Sequence, residues 1–338
     1  MKAALTGASG FVGSAVARAL LARGHTVRVL VRSQSDDRNL TGLSVERVVA
    51  DLSEPSSLRG TLDGCDALFH VAADYRLWVP DKAAMFRANV EGTVALMEEA
   101  LTVGTKRVVY TSSVATLGIR ASGVADEDTP VAWGDMIGPY KQSKFLAEEE
   151  VRRLIGQGLQ AVIVNPSTPV GPRDIKPTPT GRVVRDAARG KIPAYVDTGL
   201  NVVHVDDVAQ GHLLAYERGR IGERYILGGE NMSLQRILQV IAGIVHRPPP
   251  RVRLSRHVLW PVALVAQAYA SIRRTAIPLV TLDELRMARK HMFFSSEKAR
   301  RELGYAPRAA DLALADAVAW FEGAYRGLHK EDEAGSPR

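Results

Sequence analysis

The chain has 338 residues, 46% of them hydrophobic and 24% charged, and a formal net charge of +7. This composition is typical of a soluble globular protein, and the length allows one large α/β domain or two smaller ones. A single cysteine, Cys65, excludes an internal disulfide and a cysteine-based metal site, and no apolar stretch reaches transmembrane length. Because the first residues run directly into a strand-like segment, we expect no signal peptide and a cytoplasmic location.

The charge is distributed unevenly along the chain. Residues 1–150 carry 16 Lys and Arg against 19 Asp and Glu, whereas residues 151–338 carry 28 against 18. The basic second part is expected either to face an anionic group, such as a phosphate, a nucleotide-linked substrate or a membrane surface, or to be a generally basic surface. A nucleic-acid partner is not expected, because the sequence has no interleaved basic and aromatic platform and no known reading motif.

The first half alternates short apolar runs with segments of helical pattern. The runs are apolar throughout, as strands covered on both faces of a parallel sheet must be. The predicted strands are KAALT, HTVRVLV, VERVVA, DALFHVA, KRVVYTSS and LQAVIVN, and the predicted helices lie at about 11–23, 55–62, 82–103 and 140–156. This rhythm predicts the α/β class and a Rossmann-type, doubly wound parallel sheet with right-handed crossovers.

The rhythm breaks after Asn165, where five prolines between positions 166 and 179 predict an irregular, functional loop. A strand, a helix beginning near Asp206 or Asp207, and the strand-like ERYILGG follow, and residues 233–325 are predicted to be mainly helical. We therefore expect a smaller, mainly helical C-terminal substrate cap. The predicted division is an NADP-binding Rossmann domain at 1–165 and 196–228, a cap at 166–195 and 229–325, and a flexible tail at 326–338.

A glycine-rich turn follows the first strand immediately. In TGASGFVGSAVARALLARG, Gly7, Gly10 and Gly13 form a G-x-x-G-x-x-G pattern between a strand and a helix. Such a turn allows backbone N–H groups to approach a pyrophosphate at the N-terminus of the helix. The position of the motif therefore favours nucleotide binding over a plain strand-to-helix turn.

The ends of the second and third strands bear on the choice of cofactor. An acidic residue at the end of the second strand would accept hydrogen bonds from the adenosine ribose and favour NAD(H), but Arg32 stands there. An arginine suits a 2′-phosphate, so we predict NADP(H) rather than NAD(H); the alternative is that Arg32 is simply a solvated strand end. Asp51 is placed either to meet the adenine amine or to cap a helix.

Three residues form the predicted reaction centre. In GPYKQSKF, Tyr140 and Lys144 lie four residues apart, which puts them on one face of a helix. A neighbouring ammonium stabilises phenolate and is expected to lower the pKa of the Tyr140 phenol toward the working pH, as a general acid/base requires. Ser113 follows the fifth strand at the edge where ligands bind, so its hydroxyl can hold a carbonyl or alcohol oxygen while Tyr140 exchanges its proton.

These motifs carry a family resemblance. TGASGFVG, Ser113 and Tyr140-x-x-x-Lys144 resemble the extended short-chain dehydrogenases/reductases, and NVEGT, VHVDDVA and RRELGYAP extend the likeness to nearly the whole chain. The resemblance implies that Tyr140 is the acid/base, that Ser113 orients the oxygen, and that Lys144 binds the nicotinamide ribose and lowers the pKa of Tyr140. It is compatible with a homodimer. The further cofactor contacts that it implies are Ser9, Phe11, Val12, Leu52, Ala72, Ala73, Pro166 and Ser167.

Two longer stretches, HVAADYRLWVPD and NPSTPVGPRDIKPTPTGR, are similar to the bacterial hopanoid-associated sugar epimerases, relatives of the dihydroflavonol reductases. This resemblance implies an enzyme that elaborates the polyol side chain of a triterpenoid lipid by hydride transfer to a carbonyl or alcohol. The alternatives are a sugar epimerase that retains its cofactor and, from another class, a protein that senses NADP without turnover. The residues expected to bind the small-molecule or lipid-linked substrate are Asp74, Tyr75, Trp78 and Arg173.

The segment HVLWPVALVAQAYASIRR, residues 257–274, is apolar and flanked by arginines. It is too short to span a bilayer, so it is predicted either to lie on the inner face of the cytoplasmic membrane or to be a buried cap helix. His204 is expected to be structural, because no second histidine stands at ligand spacing, and no metal site is predicted.

Overall fold

Seven parallel strands form the main sheet of the structure, a computed structural model that describes residues 1–76, 79, 81–120, 122–255, 260, 264 and 291–334, and of residues 324–334 the backbone alone. The strands are β1 (Lys2–Thr6), β2 (Thr26–Val31), β3 (Glu46–Val49), β4 (Ala67–His70), β5 (Arg107–Thr111), β6 (Ala161–Pro166) and β10 (Arg224–Leu227). Their order is β10-β6-β5-β4-β1-β2-β3. The winding therefore reverses between β1 and β4, and in such sheets ligands bind at this reversal.

Helices cover both faces of this sheet. One face carries α1 (Phe11–Ala22), α6 (Val205–Arg218) and α8 (Glu297–Leu303), and the other carries α3 (Gly92–Thr102) and α4 (Gly138–Gly156). The burial of the strands on both faces explains their unbroken apolar sequences. The prediction of a Rossmann-type, doubly wound parallel sheet is confirmed.

The helix predicted at 82–103 is interrupted in the structure. Residues Lys82–Phe86 form the short helix α2, and a π-helical turn at Arg87–Glu91 separates it from α3. Such turns commonly occur near functional sites, because the extra residue re-aims the side chains that follow. Here the turn contains Asn89, which contacts the residues beside the site.

Among the described residues, a smaller region contains three further helices and two small sheets. The helices are α5 (Pro179–Ala188), α7 (Leu234–Ile244) and α9 (Ala310–Ala334). One sheet contains β7 (Thr168–Val170), β9 (Gly199–His204), β11 (Glu230–Ser233) and β13 (His291–Met292), and the other pairs β8 (Ala194–Val196) with β12 (Val252–Leu254). Apolar side chains such as Val184, Ile237 and Leu314 form a core of their own there. The prediction of a mainly helical C-terminal region is confirmed.

Two details differ from the predicted division of the chain. The division places β9 with the Rossmann domain, but β9 pairs with β7, β11 and β13 in the smaller sheet. An apolar strand fits either sheet, so its pairing is decided by tertiary contacts. The predicted tail at 326–338 also differs, because α9 continues to Ala334 through a sequence rich in helix-forming residues.

No helix in the part of the chain that the structure describes is long and apolar enough to cross a membrane. The segment 257–274, predicted to lie on a membrane or in the cap, falls outside the described residues except for Trp260 and Leu264, which are both exposed. The described ranges contain no group of three or more His, Cys, Asp or Glu that could hold a metal ion. His204 is buried; its Nδ1 accepts the Asp206 N–H at 3.0 Å and thereby caps α6.

Candidate active site

The carboxyl edge of the main sheet collects the predicted cofactor residues. The glycine turn with Ser9, Phe11 and Val12 follows β1, Leu52 follows β3, Ala72 and Ala73 follow β4, and Ser167 follows Pro166 at the end of β6. Because the carboxyl ends of parallel strands meet at one edge, these residues surround a single crevice.

The glycine turn leaves no room for a side chain at Gly7 or at Gly13. Gly7 has a φ of 74°, and a Cβ on it would lie 2.8 Å from the Ala72 nitrogen. A Cβ on Gly13 would lie 2.0 Å from the Gly7 carbonyl oxygen. Helix α1 begins at Phe11, and no side chain caps its first N–H groups. A turn of this shape fits a pyrophosphate, because uncapped N–H groups and the helix dipole favour negative charge.

A second feature of the crevice also fits a polar ligand. The Ser167 hydroxyl oxygen is buried and has no hydrogen-bond partner among the described residues. Its backbone N–H donates to the Leu227 carbonyl at 3.2 Å, which fixes the segment against β10. Buried polar groups are rarely left without a partner, so the Ser167 hydroxyl is available to a cofactor group at this end of the crevice.

The structure brings Ser113 and Tyr140 together. Helix α4 begins at Gly138 with Pro139 in its first turn, which places Tyr140 opposite the end of β5. The Ser113 hydroxyl lies beside the Tyr140 phenol and acts to lower its pKa. Ser113 Oγ also accepts the Ala115 N–H at 3.1 Å, which fixes its rotamer. The two hydroxyls can therefore hold one substrate oxygen between them.

Lys144 lies one turn further along α4 and is 3% exposed. Its Nζ donates to the Thr111 carbonyl oxygen at 2.7 Å and to the Tyr110 hydroxyl at 3.2 Å, and it lies 4.7 Å from the centroid of the Tyr110 ring. Burial lowers the pKa of Lys144 to about 8, while the charge of Glu148 acts in the opposite direction. The ammonium is thus charged at neutral pH and close to its titration range.

The pKa of Tyr140 was expected to be lowered by Lys144, but in the structure it is raised. Burial raises the pKa of the Tyr140 phenol, and the hydrogen bond with Ser113 lowers it only in part. The Lys144 ammonium does not offset the burial, because its Nζ is directed to Tyr110 and Thr111. Tyr140 is therefore a protonated phenol at neutral pH, which suits it to donate a proton to a carbonyl oxygen.

Asn89, to which sequence reasoning assigned no role, joins the crevice to α4. Its Oδ1 accepts the Asp74 N–H at 2.7 Å, and its Nδ2 donates to the Asp74 carbonyl at 2.9 Å and to Ser143 Oγ at 3.0 Å. The segment after β4 is thereby fixed to the helix that carries Tyr140 and Lys144. The stretch NVEGT contains this residue, but only the fold shows what it contacts.

A buried histidine ties the glycine turn to the strand beside it. Thr6 Oγ1 accepts the N–H groups of Val71 and Ala72, each at 3.1 Å, so its proton is directed to His70 Nδ1 at 2.8 Å. The other ring nitrogen then carries the hydrogen and contacts Thr93 Oγ1 at 2.9 Å. His70 is 1% exposed, and burial lowers its pKa to about 3. The ring is therefore neutral wherever the fold is intact.

This histidine predicts a loss of stability in mild acid. An unfolded histidine binds a proton below about pH 6.5, whereas folded His70 does not until about pH 3, so the unfolded state gains protons first. Lowering the pH from about 7 to about 5 should cost roughly 2 kcal/mol of unfolding free energy through this group. Urea denaturation at both pH values measures the loss. His70→Gln should make the loss of unfolding free energy between pH 7 and pH 5 smaller by roughly 2 kcal/mol, whereas the exposed control His246→Asn should leave the loss unchanged. Equal losses in both variants would contradict the role assigned to His70.

Arg32 and Asp51 lie at the ends of β2 and β3, where an adenosine would sit. Arg32 is exposed, and its N–H donates to Ser35 Oγ at 3.0 Å. Asp51 Oδ1 accepts the Ser53 N–H at 2.8 Å, and the Asp51 N–H donates to Ser57 Oγ at 2.9 Å. The contact with Ser53 is a local side-chain-to-backbone hydrogen bond of the type found at helix caps. The second carboxylate oxygen of Asp51 is predicted to meet the adenine amine.

The predicted substrate residues have different surroundings. Tyr75 is 42% exposed at the crevice, and Asp74 forms an ion pair with Arg76 at 2.5 Å. Trp78 lies outside the described residues. The guanidinium of Arg173 forms an ion pair with Asp206 at the start of α6, while its buried Nε has no hydrogen-bond partner among the described residues. Contact between Arg173 and a substrate stays a prediction.

Comparison with known proteins agrees with this geometry. The sequence profile of the NAD dependent epimerase/dehydratase family matches residues 3–228, from β1 to the end of β10. The chain belongs to this family. A putative dihydroflavonol 4-reductase of Synechocystis sp. is 45% identical over 324 residues, which cover 94% of this chain and 94% of that protein.

Two further similarities extend over the whole of this epimerase/dehydratase family member. Sterol demethylase protein B of Methylococcus capsulatus is 37% identical over 324 residues, covering 95% of this chain and 98% of that protein. The crystal structure of gox2253 matches with a TM-score of 0.86 at 56% identity, covering 96% of this chain and 99% of that one. The protein is an extended short-chain dehydrogenase/reductase, an enzyme that uses NAD(P).

Proposed function

We propose that this enzyme is an NADP(H)-dependent reductase of a carbonyl group on the sugar-derived polyol side chain of a hopanoid. The observation that supports the direction of the reaction is the burial of Tyr140 beside Ser113, which raises the pKa of the phenol and favours its proton-donating form. Reduction of a carbonyl needs a proton donor at the oxygen, whereas oxidation of an alcohol would need a phenolate to begin. NADPH, when bound in the crevice, would supply the hydride.

The preference for NADP(H) is supported by the charges around the end of β2. Neighbouring arginines are paired: Arg38 with Asp36 at 2.7 Å and Arg47 with Asp37 at 2.5 Å. Arg32 forms no ion pair with any residue that the structure describes. Its guanidinium is exposed and free for bidentate contacts with a 2′-phosphate.

We predict that NADPH binds at least about tenfold more tightly than NADH, roughly 1.4 kcal/mol. Arg32→Asp should abolish or invert this preference, because a carboxylate repels the 2′-phosphate and accepts hydrogen bonds from the ribose. Calorimetric titration with both cofactors gives the ratio. The control Lys106→Asp makes the same charge change at the opposite edge of the sheet, before β5, and should leave the ratio unchanged. Equal affinities in the wild type would overturn the NADP(H) assignment.

The substrate class is supported by the relatives and by the crevice. The protein from Synechocystis is named for the reduction of a dihydroflavonol, and the protein from Methylococcus is named for a sterol, a fused-ring lipid. Tyr75 offers an exposed aromatic ring with a polar tip beside the site, which suits a sugar-like group on an apolar carrier. A homodimer and membrane contact through 257–274 stay part of this proposal.

A sugar epimerase is the second candidate, favoured by the description of the family. An epimerase returns the hydride to the other face of the same carbon, so its substrate must rotate within the crevice. A bulky fused-ring carrier hinders that rotation, which favours the reductase. The third candidate, a non-catalytic NADP sensor, leaves the adjacent pair of Ser113 and Tyr140 without a role.

We predict net oxidation of NADPH with a carbonyl-bearing substrate. The purified enzyme is incubated with NADPH deuterated at nicotinamide C4 and ribosyl-type hopanoids, and the products are examined by mass spectrometry. Deuterium in a newly formed alcohol, one per NADPH consumed, is the expected result. An inverted stereocentre without net loss of NADPH would establish the epimerase, and no reaction with any hopanoid would refute the proposed substrate.

A further inference from the structure

Glu148 is a buried carboxylate that none of the proposed catalytic steps uses. It lies on α4 one turn after Lys144 and is 3% exposed. Five groups hydrogen-bond to it. Its Oε2 accepts from Ser112 Oγ at 2.5 Å, Thr116 Oγ1 at 2.9 Å and Asn165 Nδ2 at 3.2 Å, and its Oε1 accepts from Arg152 at 3.1 Å and Arg224 at 3.4 Å. So many donors fix the carboxylate in a single position.

Two of these groups also contact the backbone of Ser113. Asn165 Nδ2, which has two hydrogens, donates to the Ser113 carbonyl oxygen at 3.0 Å. The single hydrogen of Thr116 Oγ1 goes either to Glu148 or to that carbonyl oxygen, which lies 2.8 Å away. Ser113 is thus linked to Glu148 through Asn165. The position of the Ser113 backbone, from which its hydroxyl extends, therefore depends on a network whose centre is the Glu148 carboxylate.

The carboxylate keeps its charge although it is buried. Burial acts to raise the pKa of Glu148, but the hydrogen bond from Ser112, the charges of Arg152 and Arg224, and the hydrogen bond from Thr116 bring it below its ordinary value. A fixed negative charge is therefore buried next to the site, one turn of α4 beyond Lys144, at neutral pH.

That charge lies one turn of α4 from the Lys144 ammonium, whose hydrogen-bond partners among the described residues are neutral. Lys144 Nζ donates to Tyr110 and Thr111 of β5, and His70, which stacks on the Tyr110 ring from β4, is neutral. Without a negative charge nearby, burial would favour the neutral amine. Glu148 is the acidic group that acts against this tendency at Lys144.

We propose that Glu148 is a positioning residue of the active site, whose charge keeps Lys144 protonated at neutral pH and whose hydrogen bonds hold Ser113 in place. The proposal rests on the roles proposed above for Lys144 and Ser113. Glu148 touches neither substrate nor cofactor and acts through these two residues.

The test follows the titration of Lys144 directly. The full chain is labelled with carbon-13 at the lysine Cε, and the Lys144 signal is identified by its absence in Lys144→Arg. In the wild type the midpoint is expected near pH 8. Glu148→Gln keeps the shape of the side chain and removes its charge, so the midpoint should fall by about one unit or more. The control Glu149→Gln removes the adjacent, 58% exposed carboxylate, which also contacts Arg152, and should leave the midpoint unchanged.

An unchanged midpoint in Glu148→Gln would overturn the proposal. Should that variant fail to fold, Glu148→Asp, which retains the charge, is expected to keep the midpoint within about half a unit of the wild type. A fall of a full unit in this charge-retaining variant would overturn the proposal equally. The titration needs neither cofactor nor substrate, so it is independent of the proposed reaction. The two proposals can also fail separately. If Tyr140→Phe kept full turnover while the Lys144 midpoints were as expected, the proposed function would be refuted, but the effect of Glu148 on Lys144 would remain supported.

Discussion

Replacing Tyr140 with phenylalanine is expected to lower turnover by roughly 10²–10⁴-fold while the fold and the affinity for NADPH are retained. The substitution removes the phenolic hydroxyl that lies beside Ser113 and keeps the aromatic ring of this α4 residue. Single-turnover oxidation of NADPH, followed by absorbance, measures the loss, and fluorescence titration measures binding of NADPH.

The control for this prediction is Tyr195→Phe. Tyr195 is a buried tyrosine in β8, outside the site, and its phenol should be dispensable for turnover. If Tyr140→Phe kept a turnover within a fewfold of the wild type, another group would have to supply the proton. Equal losses in both variants would point to a general effect on the fold instead of a role in proton transfer.

The second large effect is expected at the glycine turn. Gly13→Ala places a Cβ 2.0 Å from the Gly7 carbonyl oxygen and 2.9 Å from the Ala8 nitrogen. Both are backbone atoms, so the turn itself must move. We expect a loss of roughly 1–3 kcal/mol in the free energy of unfolding. The affinity for NADPH should fall by about tenfold or more, since the N–H groups at the start of α1 no longer converge on a pyrophosphate.

Gly243→Ala is the matched control, because this glycine also lies within a helix. A Cβ on Gly243 of α7 would meet nothing within 4 Å. The substitution should stabilise the protein by up to about 1 kcal/mol through helix propensity and leave NADPH binding unchanged. Urea denaturation and fluorescence titration of both variants give the comparison. A Gly13→Ala protein with wild-type affinity would contradict the role assigned to the turn.

The sequence by itself determined the features that depend on short-range spacing. Unbroken apolar runs predicted strands buried on both faces, and their alternation with helices predicted the doubly wound sheet. The glycines at 7, 10 and 13 predicted a turn whose backbone N–H groups can approach a pyrophosphate, and four-residue spacing placed Tyr140 and Lys144 on one side of α4. These are properties of a single strand, turn or helix, so the local sequence is sufficient to specify them.

Only the tertiary structure decided what the same residues contact. Spacing along α4 predicts that Lys144 lowers the pKa of Tyr140, but β5 supplies Tyr110 and Thr111 as nearer partners, and burial dominates at both side chains. Arg173 was expected at the substrate, and the structure adds a partner that spacing does not show, Asp206 at the start of α6. The pKa of a buried group depends on its desolvation and on charges from distant parts of the chain, and neither is visible in sequence spacing.

Burial and long-range contacts also explain why the sequence did not indicate a role for Glu148. In SKFLAEEE it is one of three consecutive glutamates, and such a run is ordinarily a solvated helix face. Folding buries only the first of the three, because the ends of β5 and β6 and a cation from β10 converge on that position of α4. The sequence specified the helix and the pair that it predicts to be catalytic, and long-range packing selected the carboxylate one turn further along.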